Sequence, residues 1–319
     1  MNRRKSWLNV LRVGLSLLAL WLLLHIVGGA DVLQTLLSAD WRWLAGAWVL
    51  SVLGLVVRSF RWQALLHGLG VQVPFLRLLK LYLVGAFFNI FLLSGFGGDV
   101  IRVIELAQDA QRDAALGTVL VDRMTGLISL MVMGLLMLPF TRGLPVWLIW
   151  TFVLITGVGV CGGFLVLQGK VLRTLTARLP GFLSLAGSGK LAQMYAAVTG
   201  SGWRAVGLAL ALSTAFNFIN IAIYWMCGVA VGLEMGLDFY FIAVPLLSTA
   251  LLLPISVGGL GVRDWVAQPL FGSVGAPGAL VAGMTLLVTL VTAASGLVGG
   301  VLYFGDGLIG LFKQRSSVE

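Results

Sequence analysis

The chain has 319 residues, 59% of them apolar and only 10% charged, with a mean hydropathy of +1.02. Soluble domains carry about a quarter of their residues as Asp, Glu, Lys and Arg, so this composition excludes an ordinary cytosolic enzyme, and apolar content this high excludes disorder. The net charge of +9 does not point to nucleic acid, because the basic residues sit between apolar runs, as in the cytoplasmic loops of membrane proteins.

A helix needs about 20 mostly apolar residues to cross a bilayer. The first such run, 10–28, follows Arg3, Arg4 and Lys5 and is not closed by a small-x-small cleavage site, so it reads as a retained span. The second is 42–58. The apolar run 78–96 differs in kind, because it leads directly into Ser94-Gly95-Phe96-Gly97-Gly98-Asp99-Val100-Ile101-Arg102. Spans follow at 117–138, which carries Asp122 and Arg123 near its start, and at 145–168. The segment 169–203 is basic, is broken by Pro180 and reads as an interfacial amphipathic stretch. A span at 205–231 contains Asn217 and Asn220. The run 239–256 repeats the second kind, entering Pro254-Ile255-Ser256-Val257-Gly258-Gly259-Leu260-Gly261-Val262-Arg263-Asp264, and a last span covers 277–304. Trp41, Trp43, Trp62 and Trp203 fall near span ends, as an aromatic belt does, and Cys161 and Cys227 lie inside apolar runs without metal-type spacing.

Charge decides whether the two glycine-linked runs cross. If all eight runs span, Lys and Arg divide almost evenly between the two sides. If 78–96 and 239–256 instead form re-entrant hairpins, the cytoplasmic segments 1–12, 58–80, 168–204 and 313–319 hold 15 basic residues, and the outer loops hold only Arg42 and Arg142. The positive-inside bias selects the second topology. It predicts an all-α polytopic membrane protein of six spans and two re-entrant helical hairpins, with both termini cytoplasmic. The chain forms a single transmembrane domain, 1–319, whose halves 1–144 and 145–319 are inverted repeats. The matching Gly97-Gly98-x-x-x-Arg102 and Gly258-Gly259-x-x-x-Arg263 patterns, 161 positions apart, support this reading, and broken helices meeting within inverted repeats are a transporter design.

The candidate site follows from the same segments. Paired glycines let the chain reverse and leave N–H groups free at the next helix start, where anions bind; Arg102 and Arg263 lie one turn beyond them, and a guanidinium fork matches phosphate. Charges within spans face a polar cavity or a partner. Asp99 and Arg102 share a helix face that Glu105 extends, whereas the adjacent Arg263 and Asp264 point apart. The candidate substrate-binding residues are therefore Gly97, Gly98, Asp99, Arg102, Asp122, Arg123, Gly258, Gly259, Arg263 and Asp264, with Asn217 and Asn220 as further polar groups within a span. Interhelical hydrogen bonding is the plainer account of the two asparagines, and local ion pairing is the plainer account of the arginines. No Ser/His/Asp or Cys/His set, P-loop, HExxH motif or metal-ligand cluster occurs, so no catalytic, cofactor or metal role is expected.

Gly97-Gly98-Asp99-Val100-Ile101-Arg102, Asp122-Arg123 and Pro254-x-Ser256-x-Gly258-Gly259-x-Gly261-x-Arg263-Asp264 together resemble the lysylphosphatidylglycerol synthase transmembrane-region family, also called flippase-like domains. The resemblance spans nearly the whole chain, with Asp122 and Asp264 standing where the family pattern usually has Glu. It implies movement of polar-headed lipids between leaflets. In the aminoacyl-phosphatidylglycerol proteins the module precedes a soluble transferase domain, and this chain is expected to be a standalone member without it. Standalone members are linked to other lipids, including hopanoids and glycolipids. The expected function is thus an inner-membrane flippase for an anionic or glycosylated lipid. The alternatives are an integral-membrane transferase acting on a lipid-linked substrate, or a non-catalytic membrane partner of a lipid-synthesising enzyme.

Overall fold

The computed structural model describes residues 29–91, 97–107, 112–168, 174, 176, 200, 202–251 and 261–316. They form α1 (Gly29–Leu37), α2 (Trp41–Gly68), α3 (Phe75–Phe91), α4 (Gly97–Leu106), α5 (Arg112–Met137), α6 (Val146–Gln168), α7 (Gly202–Ala230), α8 (Leu237–Ala250), α9 (Val262–Gly272) and α10 (Gly278–Ser316). Five segments are long and apolar enough to cross a membrane: Trp41–Gly68, Ala114–Phe140, Val146–Leu165, Gly202–Ala230 and Gly278–Tyr303. They match five of the expected spans, so the chain is a multi-pass helical membrane protein. The expected span at 10–28 and the amphipathic stretch broken by Pro180 lie outside the described residues.

Helix boundaries follow local chemistry. Asp40 caps α2, its carboxylate accepting the Arg42 N–H at 2.9 Å. Pro74, Pro145 and Pro277 precede α3, α6 and α10, and each carbonyl accepts an amide of the first turn. One boundary differs from expectation. The second span continues ten residues past 58 to Gly68, so Arg58, Arg61, Trp62 and His67 belong to a helix rather than a loop.

The two exceptional runs are short helices. At about 1.5 Å per residue, the 17 residues of α3 extend about 25 Å and the 14 of α8 about 21 Å. Each is followed by a still shorter helix that folds back on it. In the first pair, the Gly98 N–H donates to Asn89 Oδ1 at 2.7 Å, the Arg102 guanidinium lies over the Tyr82 ring, and Arg77 pairs with Glu105 at 3.4 Å. Positions rising along α4 thus meet positions falling along α3, which defines an antiparallel helical hairpin. In the second pair Phe239 and Tyr240, at the start of α8, pack on Phe271 at the end of α9. In α4, Val100 and Ile104 are exposed whereas Asp99 and Arg102 are buried. The helix is apolar outward and charged inward, the reverse of a helix on a soluble protein.

α2 and α7 run antiparallel against each other. Trp43 meets Trp225 with centroids 5.4 Å apart, and Arg61 Nη1 donates to Ser213 Oγ at 2.9 Å. Gly54 lies between them, where an added Cβ would stand 3.3 Å from Phe216. The α3 helix is clamped to α10 by small residues; a Cβ at Gly299 would come 2.0 Å from the Leu83 carbonyl oxygen. The larger apolar core joins α5 to α10 around Phe152, Tyr240, Phe271 and Met284, and a second packs α2 to α5 around Trp62, Leu66, Leu81 and Leu106.

Candidate functional site

Five helices converge on Asp122. It lies ten residues into α5, is fully buried, and accepts from three groups: Arg61 Nε of α2 at 2.5 Å, the Tyr82 hydroxyl of α3, and Arg102 Nη2 of α4 at 3.4 Å. Ser213 of α7 closes the other side of Arg61. Asp99 is the second carboxylate. It accepts from Arg102 Nη1 at 3.0 Å, one turn along its own helix, and from Arg123 Nε of α5. Arg102 is 2% exposed, and its guanidinium lies 3.6 Å from the Tyr82 ring centroid and 4.1 Å from that of Trp62. The indole N–H of Trp62 donates to Thr118 Oγ1 at 3.1 Å. Two carboxylates, three arginines and two aromatic rings are thereby joined in one network across the four successive helices α2 to α5.

A fourth arginine borders the network. Arg58 shares the α2 face of Arg61 and Trp62, and its guanidinium lies 4.9 Å from the Tyr82 centroid and 5.2 Å from that of Phe216. It forms no ion pair with a carboxylate among the described residues, and its buried Nε has no hydrogen-bond partner. Arg102 Nε and Arg263 Nε are likewise buried without a partner. Among the described residues Arg61 and Arg102 pair with Asp99 and Asp122, and Arg58, beside them, adds a guanidinium that pairs with no carboxylate. A guanidinium in that position favours an anion, because a charge withdrawn from water without a counter-charge is costly.

The expected residues divide. Asp99, Arg102, Asp122 and Arg123 meet as one cluster. Gly97 and Gly98 open α4, but the Gly98 N–H expected to be free donates to Asn89. Gly98 serves close approach instead, since a Cβ there would stand 2.1 Å from the Gly85 carbonyl oxygen. Asn217 donates from Nδ2 to the Gly126 carbonyl at 2.9 Å, the interhelical bond that is its plainer reading, and Asn220 is half-buried on the same helix. Gly258 and Gly259 lie outside the described residues.

Arg263 and Asp264 stand apart from the cluster. Arg263 Nη1 donates to Thr289 Oγ1 at 3.0 Å and its guanidinium lies 5.8 Å from the Tyr224 centroid. Asp264 accepts the Gly261 N–H at 3.0 Å, one half of a capping box, and the Thr285 hydroxyl. The two point to different partners, as expected of adjacent helical residues. Tyr224 neighbours Trp225, which faces Trp43 on α2. The Arg263 group therefore sits level with the start of α2, and the Asp122 cluster sits at residues 58–62, roughly 25 Å further along that helix. Among the described residues the two arginines, Arg102 and Arg263, belong to separate groups of contacts.

Arg58, Arg61, Trp62 and Tyr82 were not among the expected residues. Arg58 and Arg61 end the hydropathic run and read as loop cations, and Trp62 reads as an interfacial belt residue, although it is fully buried. A signal was present: Arg58, Arg61 and Trp62 share one helical face, with Ala64, Leu65 and Leu66 continuing the apolar pattern beyond.

Compared with known families, the chain matches the model described as lysylphosphatidylglycerol synthase TM region over residues 9–300. Among curated proteins, no match is found.

Proposed function

Since the chain belongs to the lysylphosphatidylglycerol synthase TM-region family, whose members are associated with membrane lipids, we propose that it moves a lipid with an anionic head group between leaflets. The observation that carries this reading is Arg58 at the border of the Asp122 network, a guanidinium that pairs with no carboxylate among the described residues. The arginines come from a spanning helix, a broken-helix hairpin and the next span. A head group leaving water needs its hydration replaced by fixed donors, and arginine forks on an aromatic scaffold supply them.

The transport reading carries an architecture with it. The two hairpins are re-entrant, entering from opposite faces, and the halves 1–144 and 145–319 are inverted repeats. Support comes from the packing scheme. Exchanging α2 with α7, α3 with α8, α4 with α9 and α5 with α10 turns each contact among these helices into another that is also present. The α2 and α7 pair, equivalent under the exchange, runs antiparallel, as inversion requires. The chain lies in the inner membrane with both termini cytoplasmic, by the positive-inside bias; setting Arg58 and Arg61 aside as part of the Asp122 network leaves 13 basic residues inside to two outside.

Reconstitution tests the function. Liposomes holding the purified protein and a trace of head-group-intact, acyl-labelled phosphatidylglycerol should expose inner-leaflet label to an external quencher faster than empty liposomes do, with lipid mass unchanged. Exchange at the empty-liposome rate overturns the reading, and a new lipid mass replaces it with transferase chemistry.

A further inference from the structure

Resting on that reading, we propose that Arg58, rather than Arg102, is the residue that binds the substrate's anionic group and sets selectivity for anionic over zwitterionic lipid. The family-like motif draws attention to Arg102, yet the contacts around it assign it a different task. Its Nη1 donates to Asp99, its Nη2 donates to Asp122, and its flat faces are covered by Tyr82 and Trp62. Arg61 spends Nε on Asp122 and Nη1 on Ser213. Both are only 2% exposed, so a phosphate would reach either one only by displacing the groups packed around it. These residues form a closed scaffold.

Arg58 is built differently. It is half-buried rather than fully buried. Its guanidinium is flanked by Tyr82 of α3 and Phe216 of α7, the helices that lie on either side of α2. Aromatic faces orient a guanidinium without neutralising it. They leave its in-plane donors for another acceptor, and its ion-pair capacity is unspent among the described residues. Phe216 also lies 5.9 Å from the Arg61 guanidinium, and Tyr82 donates to Asp122. The scaffold thereby fixes the two rings that hold Arg58. A ligand bound there meets one arginine fork whose charge no carboxylate among the described residues pairs with, so a phosphodiester fits, and a zwitterion, whose ammonium group would be brought close to the same guanidinium, does not.

The test is competitive lipid binding. Native mass spectrometry of the full chain in mixed micelles of phosphatidylglycerol and phosphatidylcholine should show preferential retention of phosphatidylglycerol by the parent protein. Arg58→Gln should lose that preference by roughly tenfold to a hundredfold, the worth of one charge-assisted hydrogen-bonded contact, with an unchanged or higher melting temperature because no carboxylate is stranded. Arg58→Lys should fall between the two, keeping charge without the fork. Retention of the full preference by a folded Arg58→Gln or Arg58→Lys protein overturns the assignment to Arg58 and leaves the flippase reading standing. Absence of any preference in the parent protein overturns both. Excess inorganic phosphate that strips phosphatidylglycerol from the parent protein marks a soluble-anion site and overturns the lipid assignment; resistance to it supports the lipid.

Discussion

At the residue scale, charge within apolar sequence is a dependable pointer, because a buried ion must be matched by a partner or a ligand. Asp99, Arg102, Asp122 and Arg123 were legible in this way, and they meet. Which carboxylate matters most was not legible, since it depends on groups from α2, α3 and α4 converging on one side chain. Asp122 satisfies two arginines and a phenol, whereas Asp264 accepts one backbone amide and one hydroxyl. The two substitutions should therefore diverge. Asp122→Asn leaves two buried guanidinium groups short of a charge and should cost about 3–5 kcal/mol, as breaking a buried pair does. Asp264→Asn keeps an amide oxygen as acceptor and should cost about 1 kcal/mol. Chemical denaturation of both proteins in detergent measures the difference; equal losses would mean that Asp122 is not the keystone of the network.

At the element scale, the short apolar runs ending in glycines were legible as something other than plain spans, and both are helical hairpins. The physical role of their glycines was not legible, because a sequence shows that a side chain is missing but not what fills the space. Gly98 is small because the Gly85 carbonyl and the Asn89 amide lie where its Cβ would be, at 2.1 and 2.7 Å. Gly98→Ala should wedge α4 away from α3, moving Arg102 off Tyr82 and lowering both the melting temperature and the leaflet-exchange rate. Gly157→Ala, on the exposed face of α6 with nothing within 4 Å of the added carbon, should leave exchange unchanged and stabilise the helix by up to about 1 kcal/mol, the propensity difference. A Gly98→Ala protein as stable and as active as the Gly157→Ala protein would show that the close approach does not hold the hairpin.

At the scale of the whole molecule, five spans were legible from hydropathy alone, because the bilayer imposes their length. The pairing of α2 with α7 was not, since it rests on contacts between residues far apart in the chain, such as Gly46 against Met226 and Arg61 against Ser213. That pairing makes the topology testable with two residues. Arg42 and Arg204 both occupy the first turn of a spanning helix and both are exposed. Because α2 and α7 are antiparallel, these first turns lie at opposite ends of the bundle and must fall on opposite sides of the membrane. The proposed orientation, which follows the positive-inside bias, then says which result to expect: Arg204, closing the basic segment, inside, and Arg42 outside with Arg142. In a protein whose Cys161 and Cys227 are replaced by Ser and Ala, Arg42→Cys and Arg142→Cys should react with a membrane-impermeant maleimide on intact cells. Arg204→Cys should react only after permeabilisation. Labelling of Arg42→Cys and Arg204→Cys from the same side would break the antiparallel span pair and the inverted repeat with it. Labelling of Arg204→Cys alone from outside would keep the repeat and reverse its orientation in the membrane.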